Sequence, residues 1–154
     1  MSWDKDIKEI KQREKLALQQ GGKEAVEKQH HKGRKTLRER IEFILDKNSF
    51  DEIGKIAGSG VYNADEELKD FIPANFLLGF GKINERHVII GGEDFTLKGG
   101  SPNPAGLRKS IYTEDLALKY KIPLIRLHEG GGGSVTGSGG SANKPTIPNS
   151  EPVF

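Results

Sequence analysis

The chain has 154 residues and a formal net charge of +2, from 24 lysines and arginines against 22 aspartates and glutamates. This length predicts one domain or part of one, and 34% hydrophobic with 30% charged residues is typical of a soluble protein with a modest core. Because cysteine is absent, disulfides, thiolate metal sites and cysteine nucleophiles are excluded. Twenty glycines are close to twice the ordinary share of about 7% and need an explanation.

No part of the sequence predicts membrane insertion or export. The longest apolar run is a few residues, far below the ~18 of a membrane span. The first 20 residues lack an apolar signal core and carry four acidic residues, which argues against a transit peptide. We therefore expect a cytoplasmic protein without a membrane partner, or a protein of the mitochondrial matrix if the source is eukaryotic.

Three helices are predicted to open the chain. Apolar residues recur at helical spacing in Ser2 to Gln20, and the pair Gly21-Gly22 would end this amphipathic helix. The residues of its apolar face are Trp3, Ile7, Ile10, Ala17 and Leu18. A second helix is predicted over Lys23 to Lys32, and a third begins at the capping box formed by Thr36 and Glu39.

Short apolar runs then predict β-strands. The runs are Phe50 to Ile56, Phe76 to Ile83 and Arg86 to Gly91, and the turn pair Asn84-Glu85 separates the last two. This spacing predicts a strand meander. The continuous apolar run Val88 to Ile90 is typical of a strand that is covered on both faces.

A strand, a helix and a second strand follow within about forty residues. Asn103 is a good N-cap and Pro104 a good first residue for a helix that ends near Tyr120. The residues expected to face inward are Leu107, Ile111 and Leu118. The run Ile122 to Leu127 predicts the next strand, so the pattern indicates a βαβ unit with parallel strands and an α/β fold.

The glycine excess falls directly after that last strand. Seven glycines lie between Gly130 and Gly140, following the pair His128-Glu129. Glycines let backbone N–H groups approach a phosphate or a developing oxyanion, and open α/β sheets bind ligands at the carboxyl ends of their strands. A flexible surface loop is the alternative interpretation of the same composition.

Several sequence signatures for binding are weak or missing. No Walker motif is present, which excludes a P-loop. Gly137, Gly139 and Ala142 fit a loose dinucleotide pattern but lie well past the strand and precede Pro145 rather than a helix. The pair His128-Glu129 could orient a ligand, although a strand-end polar pair is more often a surface feature.

The N-terminal quarter of the chain is basic. The first 40 residues hold 12 basic and 7 acidic residues, but Lys23 to Arg40 has no interleaved aromatic residue, so a solvated face is favoured over nucleic-acid binding. His30 and His31 are adjacent and point to different faces of a helix. Because no partner lies at helical spacing, we expect solvated histidines and no metal site.

Three segments together resemble a known family. The first is GGKEAVEKQHHKGRKTLRERIEFILDKNSFDEIG, from Gly21 to Gly54; the others run from Gly79 to Ser101 and from Tyr112 to Gly133. They resemble the carboxyltransferase (β) subunits of biotin-dependent acyl-CoA carboxylases, the propionyl-CoA and methylcrotonyl-CoA carboxylase group. The combination of KGRKTLRERI with DFTLKGGS is specific to that group.

The resemblance implies a fold and a domain division. It implies an α/β, crotonase-like (ClpP/crotonase) carboxyltransferase N-terminal domain, truncated, with a helical N-terminal extension. Residues 1–49 would form the extension, and residues 50–154 would begin the domain without completing it. The biotin-facing domain would then lie beyond Phe154.

The resemblance also implies an activity. A carboxyl group would pass from carboxybiotin to the α-carbon of an acyl-CoA, or to the γ-carbon of an enoyl-CoA. Biotin would be carried by a partner domain, the biotin carboxylase or biotin carrier subunit. The full-length protein would form a homo-oligomer, with neither a metal nor nucleic acid, and the fragment alone would be inactive.

Site residues follow from the same resemblance. Gly99 and Gly100 lie after a strand and before a helix, which makes them candidate oxyanion donors. The candidate substrate contacts are Ser101, Gly130, Gly131, Gly132 and Gly133. The family segment at this loop usually reads D-S-G-G-A-R, and here His128-Glu129 and Ser134 replace parts of it, which leaves the acyl-chain preference open.

Two alternatives remain open from the sequence. A biotin-linked acyl-CoA decarboxylase subunit would have the same fold and run the chemistry in the opposite direction. A non-enzymatic module would use the glycine loop and the basic helices to bind CoA or a polyanion.

Overall fold

The computed structural model describes residues 3–101 and 103–129. Three helices come first: α1 (Asp4–Ala17), α2 (Lys23–His31) and α3 (Leu37–Ile44). The strands that follow are β1 (Asp51–Glu52), β2 (Gly58–Tyr62), β3 (Leu68–Pro73), β4 (Phe76–Ile83) and β5 (Arg86–Glu93). A short 3₁₀ turn (Lys98–Gly100), helix α4 (Pro104–Tyr120) and strand β6 (Leu124–Leu127) complete the described elements.

The main sheet has four strands in the order β1, β4, β5 and β6. Strands β4 and β5 form an antiparallel hairpin whose register brings Ile83 opposite Arg86. Asn84 and Glu85 at its turn both have positive φ, 48° and 65°. A two-residue turn with positive φ at both positions has a backbone twist that matches the right-handed twist of the strands, which is why this pair makes a tight hairpin. The predicted turn and both strands are confirmed.

Helix α4 connects two parallel neighbours, β5 and β6, with Gly91 opposite Arg126. The side chain of Asn103 accepts a hydrogen bond from the backbone N–H of Gly106 at 2.7 Å, and Pro104 is the first helical residue. The predicted helix and the predicted βαβ unit are therefore confirmed.

Two apolar clusters cover the two faces of the sheet. The α3 side contains Leu37, Ile41, Leu45, Leu77, Val88 and Ile90, and the α4 side contains Phe76, Leu78, Ile89 and Leu116. Successive residues of β5 thus alternate between the clusters, as strand geometry requires, and the expected burial on both faces is confirmed. Helix α3 therefore shares a core with the sheet.

Helix α1 is shorter than the predicted Ser2 to Gln20, and its expected apolar face is largely exposed. Ala17 is buried, whereas the exposed fractions are 72% for Trp3 and 48% for Ile7. The helix instead contacts the β2–β3 hairpin through polar groups: Gln12 Nε2 donates to the Leu68 carbonyl at 3.1 Å. Directional polar contacts thus determine which side of α1 packs.

The inward face predicted for α4 is wrong. Ile111 and Leu118 are exposed, and Leu107 is only partly buried. The buried residues are Gly106, Lys109, Thr113 and Leu116. Polar residues can occupy this face because they are hydrogen-bonded: Thr113 Oγ1 donates to the Lys109 carbonyl at 2.6 Å.

The strand predicted over Phe50 to Ile56 is only Asp51–Glu52, since Gly54 turns the chain with a φ of 64°. The β2–β3 hairpin was not predicted. Its strands are antiparallel, and β2 is mostly exposed, so the apolar alternation that marks a half-buried strand is weak there. Among the described residues, no helix is long and apolar enough to cross a bilayer.

Candidate functional site

The loop that follows β5 contains the first predicted site residues. Gly99 and Gly100 have φ values of 62° and 74°. Gly100 is buried, and a Cβ there would lie 2.4 Å from the Phe95 ring, so no other residue fits without displacement. The backbone N–H of Gly100 donates to the Leu97 carbonyl at 3.0 Å, and that of Ser101 donates to the Lys98 carbonyl at 3.2 Å. Both amides are therefore engaged within the turn.

Asp94 holds the beginning of this loop. Its carboxylate is 1% exposed and accepts hydrogen bonds from the Thr96 hydroxyl at 2.6 Å and from the Thr96 N–H at 2.9 Å. Burial raises the pKa of Asp94, although the two bonds from Thr96 oppose that shift. Thr96 Oγ1 in turn accepts from the Gly21 N–H at 2.9 Å, which ties the loop to the segment between α1 and α2.

Asn75 holds the other end. Its side-chain amide donates to the Ser101 carbonyl, and its Oδ1 accepts from the Asn103 N–H at 3.1 Å. A Cβ at Gly106 would lie 2.3 Å from that Oδ1, so the helix approaches Asn75 as closely as only glycine permits. Ser101 Oγ is buried and has no hydrogen-bond partner among the residues described.

The carboxyl end of β6 lies beside that of β5, since Gly92 pairs with Leu127. Glu129, two residues on, is 12% exposed at its side chain. Its carboxylate accepts from Arg34 at 2.9 Å and also from Arg40. Both arginines belong to the basic stretch, so the solvated face expected there is wrong at Arg40, whose side chain is 26% exposed. The glycines of the predicted loop, Gly130 to Gly133, lie outside the described residues.

His128, His30 and His31 each lie close to a glutamate side chain or a backbone carbonyl. His128 is exposed, with Nδ1 3.4 Å from Glu93 Oε2. His30 lies 2.9 Å from Glu39 and is about half exposed, and His31 Nδ1 lies 2.8 Å from the Glu27 carbonyl. Within residues 3–101 and 103–129, no cluster of three or more potential metal ligands occurs.

A second group of charges lies between α3, β1 and α4. Arg38 donates to Glu52 at 2.8 Å, and their side chains are 17% and 7% exposed. Lys109 is 8% exposed, and its Nζ donates to the Gly54 carbonyl at 3.2 Å. Burial lowers the pKa of Lys109 to about 8; Glu52 opposes the shift and Arg38 adds to it. Two cations and one carboxylate are thus enclosed together.

Lys109 also borders an open cleft of about 380 Å³. The cleft lies between the first turns of α4 and the segment before β2. It is lined by Ile56, Ala57, Gly58, Ala105, Arg108, Lys109 and Tyr112. Its lining combines apolar and aromatic surface with two basic side chains.

Comparison with known proteins identifies the family. The carboxyl transferase domain matches residues 28–144. A putative propionyl-CoA carboxylase beta chain of Bacillus subtilis is 36% identical over 121 residues, which is 79% of this chain and 23% of the relative. The methylmalonyl-CoA decarboxylase subunit alpha of Veillonella parvula is 34% identical, over 75% of this chain and 23% of that protein.

The chain belongs to the carboxyl transferase domain family. Among solved structures, transcarboxylase 12S, with methylmalonyl-CoA and methylmalonic acid bound, superposes with a TM-score of 0.67 at 29% identity. That match covers 82% of this chain and 25% of the transcarboxylase, whose structure is a hexamer assembly. The beta subunit of geranyl-CoA carboxylase from P. aeruginosa gives a TM-score of 0.66 at 25% identity, over 81% of this chain and 23% of that one.

These matches confirm the expected α/β, crotonase-like carboxyltransferase fold. The carboxyl transferase chain described here spans about a quarter of the length of the relatives that it matches. The domain division at residue 49 stays a prediction. The family match begins at residue 28, within α2.

Sequence reasoning missed Asn75 and the enclosed charges at Arg38, Glu52 and Lys109. Asn75 carries no local signal, because its partners lie 26 and 28 residues away. Lys109 does share helical spacing with the buried Gly106 and Thr113. That spacing was a usable signal, but lysine is rarely buried, so a search for apolar residues at helical spacing does not include it.

Proposed function

We propose that the protein is the carboxyltransferase component of a biotin-dependent acyl-CoA carboxylase. The observation that carries the proposal is the family match over residues 28–144, together with relatives named as propionyl-CoA carboxylase beta chains. The substrate would be an acyl-CoA of the propionyl-CoA or methylcrotonyl-CoA class, carboxylated at the α-carbon or, for an enoyl-CoA, at the γ-carbon.

The reaction requires mainly electrostatic stabilisation of the negative charge that develops on the acyl-CoA. Removing a proton beside a thioester places negative charge on the thioester oxygen, and preorganised N–H donors in a dry site stabilise such an oxygen by a few kcal/mol. Gly99 and Gly100 are our candidates for this role, with Ser101 and Gly130 to Gly133 as substrate contacts. Because the Gly100 N–H donates within its turn, the turn would have to open or Gly99 would have to supply the donor.

Carboxybiotin supplies the carboxyl group when its carrier is bound. We propose that a biotin carboxylase or biotin carrier partner delivers it, and that the complete protein is a homo-oligomer. The buried, unpartnered Ser101 Oγ is a group of this chain that suits a contact to a carbonyl or ureido oxygen. We propose a cytoplasmic location, or the mitochondrial matrix in a eukaryote.

The test uses the complete protein with its carrier. Purified protein is mixed with carboxylated biotin carrier labelled at the carboxyl carbon and with a series of short acyl-CoAs. We expect acid-stable label in the acyl-CoA product. If no acyl-CoA accepts label while the same carrier serves a known carboxyltransferase, the proposal is wrong.

A decarboxylase subunit is the second candidate. Relatives named methylmalonyl-CoA decarboxylase subunit alpha, from Veillonella parvula and Propionigenium modestum, are 34% and 30% identical and favour it. Product analysis separates the two directions. A decarboxylase would convert methylmalonyl-CoA to propionyl-CoA with transfer of the carboxyl group to biotin.

A module without catalysis is the third candidate, in which the basic helices bind CoA or a polyanion. Titration with CoA and with DNA at several salt concentrations separates it, because binding to a phosphate backbone weakens steeply as salt rises.

A further inference from the structure

Lys109 is a buried nucleophile for which the proposed mechanism has no use. The residue is 8% exposed, and its Nζ donates a hydrogen bond to the Gly54 carbonyl at 3.2 Å. A Cβ at Gly54 would lie 3.7 Å from Lys109 Cε, so the lysine side chain packs against the turn that follows β1. The acceptor of this amine is thus a neutral carbonyl rather than a carboxylate.

Lys109 borders two cavities. The first is the open cleft of about 380 Å³ in front of β2. The second is a crevice of about 10 Å³, which has room for about one water-sized group. A small molecule can therefore reach the amine through the cleft, and the crevice can hold one further oxygen atom beside it.

The groups around Lys109 carry more positive than negative charge. Among the described residues, the other charged side chains that line these two cavities are three cations and two carboxylates, namely Arg38, Lys55, Arg108, Glu52 and Asp94. Burial raises the pKa of Asp94, which disfavours its charged form. Tyr112 is a further titratable group in the lining of the cleft. A negative charge at the Lys109 nitrogen, in place of its positive charge, would balance the set.

Arg38 holds a hydrogen-bond donor that has no acceptor. Its Nη1 donates to Glu52 Oε2 at 2.8 Å, whereas its Nε is buried and has no hydrogen-bond partner among the residues described. A buried donor without an acceptor is unfavourable. Because Arg38 and Lys109 line the same crevice, an oxygen carried by the lysine nitrogen would supply the missing acceptor.

We propose that Lys109 is a site of reversible carbamate formation with CO₂. The nitrogen lone pair of the neutral amine attacks the carbon of CO₂ and forms an N–C bond, one C–O bonding pair moves onto oxygen, and the nitrogen releases a proton to water. The product is an NH–COO⁻ group, formed without an oxidant or a reductant. Its remaining N–H would still donate to the Gly54 carbonyl, and its oxygens would accept from Arg38 Nε. The inference does not rest on the proposed function.

Carbamate formation needs a neutral amine, and the fold supplies one. Burial lowers the pKa of Lys109 to about 8, against an ordinary value of 10.5, so about half of this amine is unprotonated at pH 8. A lysine with the ordinary pKa is almost entirely protonated there. The new anion would lie among three cations, which stabilise it more than water does at the surface.

The first experiment is ¹³C NMR of the complete protein under ¹³C-labelled CO₂ and bicarbonate at pH 8, with the biotin carrier left out. We expect a lysine carbamate resonance that disappears when CO₂ is removed. The α-amino group of the chain also reacts with CO₂, so the resonance is assigned by comparison of variants. Absence of a lysine carbamate resonance from the wild type overturns the inference.

Two variants make that assignment. Lys109→Arg keeps the positive charge and a donor for the Gly54 carbonyl but cannot form this adduct, so it should lose the resonance. Lys119→Arg, at an exposed position of the same helix, is the matched control and should keep it. Persistence of the resonance in Lys109→Arg overturns the inference.

Chemical trapping locates the adduct without any variant. A trialkyloxonium salt esterifies the carbamate and makes it stable, and peptide mass spectrometry then identifies the modified residue. We expect the trapped group on Lys109 in the folded protein, and much less of it in protein unfolded in guanidinium chloride at the same pH and CO₂ pressure. Equal trapping in the two states overturns the inference, because the fold would then contribute nothing to the reaction.

Two further measurements test the surroundings of the adduct. At a fixed pressure of CO₂, occupancy should increase from pH 7 to pH 9, because the ammonium must lose its proton before it reacts. Arg38→Lys, which keeps a cation for Glu52 but lacks Nε, should need about 10-fold more CO₂ for the same occupancy, since one charge-assisted hydrogen bond has about this effect. Occupancy that is independent of pH, or unchanged in Arg38→Lys, overturns the site as assigned.

Discussion

Lys109 should give the protein a pH-dependent stability that can be measured directly. Its pKa is about 8 in the folded chain, against an ordinary value of 10.5 in the unfolded chain. Between these two values the unfolded state binds one proton more than the folded state. The free energy of unfolding therefore rises with pH in this window, by about 1.4 kcal/mol per pH unit and by about 3 kcal/mol in total.

The Lys109→Met variant isolates this contribution. Methionine keeps an unbranched apolar chain in the buried position but cannot titrate, so the extra rise between pH 8 and 10.5 should disappear. The variant loses the bond to the Gly54 carbonyl, which we expect to cost about 1 kcal/mol at every pH. Relative to the wild type, the variant should thus be more stable at pH 7 and become less stable at high pH.

The assay is urea unfolding at pH values from 7 to 10.5, with Lys119→Met as the matched control. Other lysines and tyrosines titrate in the same range, but they contribute equally to the wild type and to both variants. The difference curve therefore reports Lys109 alone. A curve for Lys109→Met that runs parallel to the wild type would refute the buried, desolvated state of this lysine.

Three further predictions concern the loops and the capping of α3. Gly100→Ala should destabilise the fold by about 2 kcal/mol or more in thermal unfolding, since it combines a positive φ with contact to a buried ring; Gly99→Ala, with open space at its Cβ position, should cost only about 1 kcal/mol. Glu129→Ala should cost about 2 kcal/mol in urea unfolding, because it leaves two arginines without their carboxylate. Thr36→Ala should cost about 1 kcal/mol in the same assay, because it removes the capping box.

Each of the three has an outcome that would contradict it. Equal destabilisation by the two glycine variants would mean that backbone conformation alone matters at the 3₁₀ turn. A Glu129→Ala protein as stable as the wild type would place that carboxylate in solvent. A Thr36→Ala protein with unchanged stability would show that another group caps α3.

The elements that the sequence predicted well are those whose signals are local. Asn103-Pro104 and the Thr36–Glu39 pair define helix starts through contacts three residues apart, and Asn84-Glu85 defines a hairpin within two residues. Such contacts form regardless of what the rest of the chain does. Family resemblance then added the expected crotonase-like fold and the proposed activity, neither of which could be predicted from periodicity.

The elements that were missed depend on distant partners. The apolar face of α1 is exposed, and α4 buries a different face from the predicted one. Both outcomes depend on which parts of the folded chain each helix contacts. Lys109 is buried with its Nζ donating a hydrogen bond to the Gly54 carbonyl, 55 residues away. A pattern of apolar residues carries no information on a hydrogen bond between residues so far apart in the chain, so the burial of these polar residues was not predicted.

Three acidic side chains near the strand ends are already engaged in contacts within the fold. Glu129 is held by Arg34 and Arg40, Asp94 by Thr96, and Glu52 by Arg38. A general base needs a carboxylate that can reach the substrate, and these three are committed to the fold. An enolate stabilised by main-chain N–H donors needs no such base from the protein, provided that the acceptor of the proton arrives with the substrates. The proposed transfer from carboxybiotin meets that condition, which is a physical reason to prefer it to a mechanism in which Glu52, Asp94 or Glu129 is the general base.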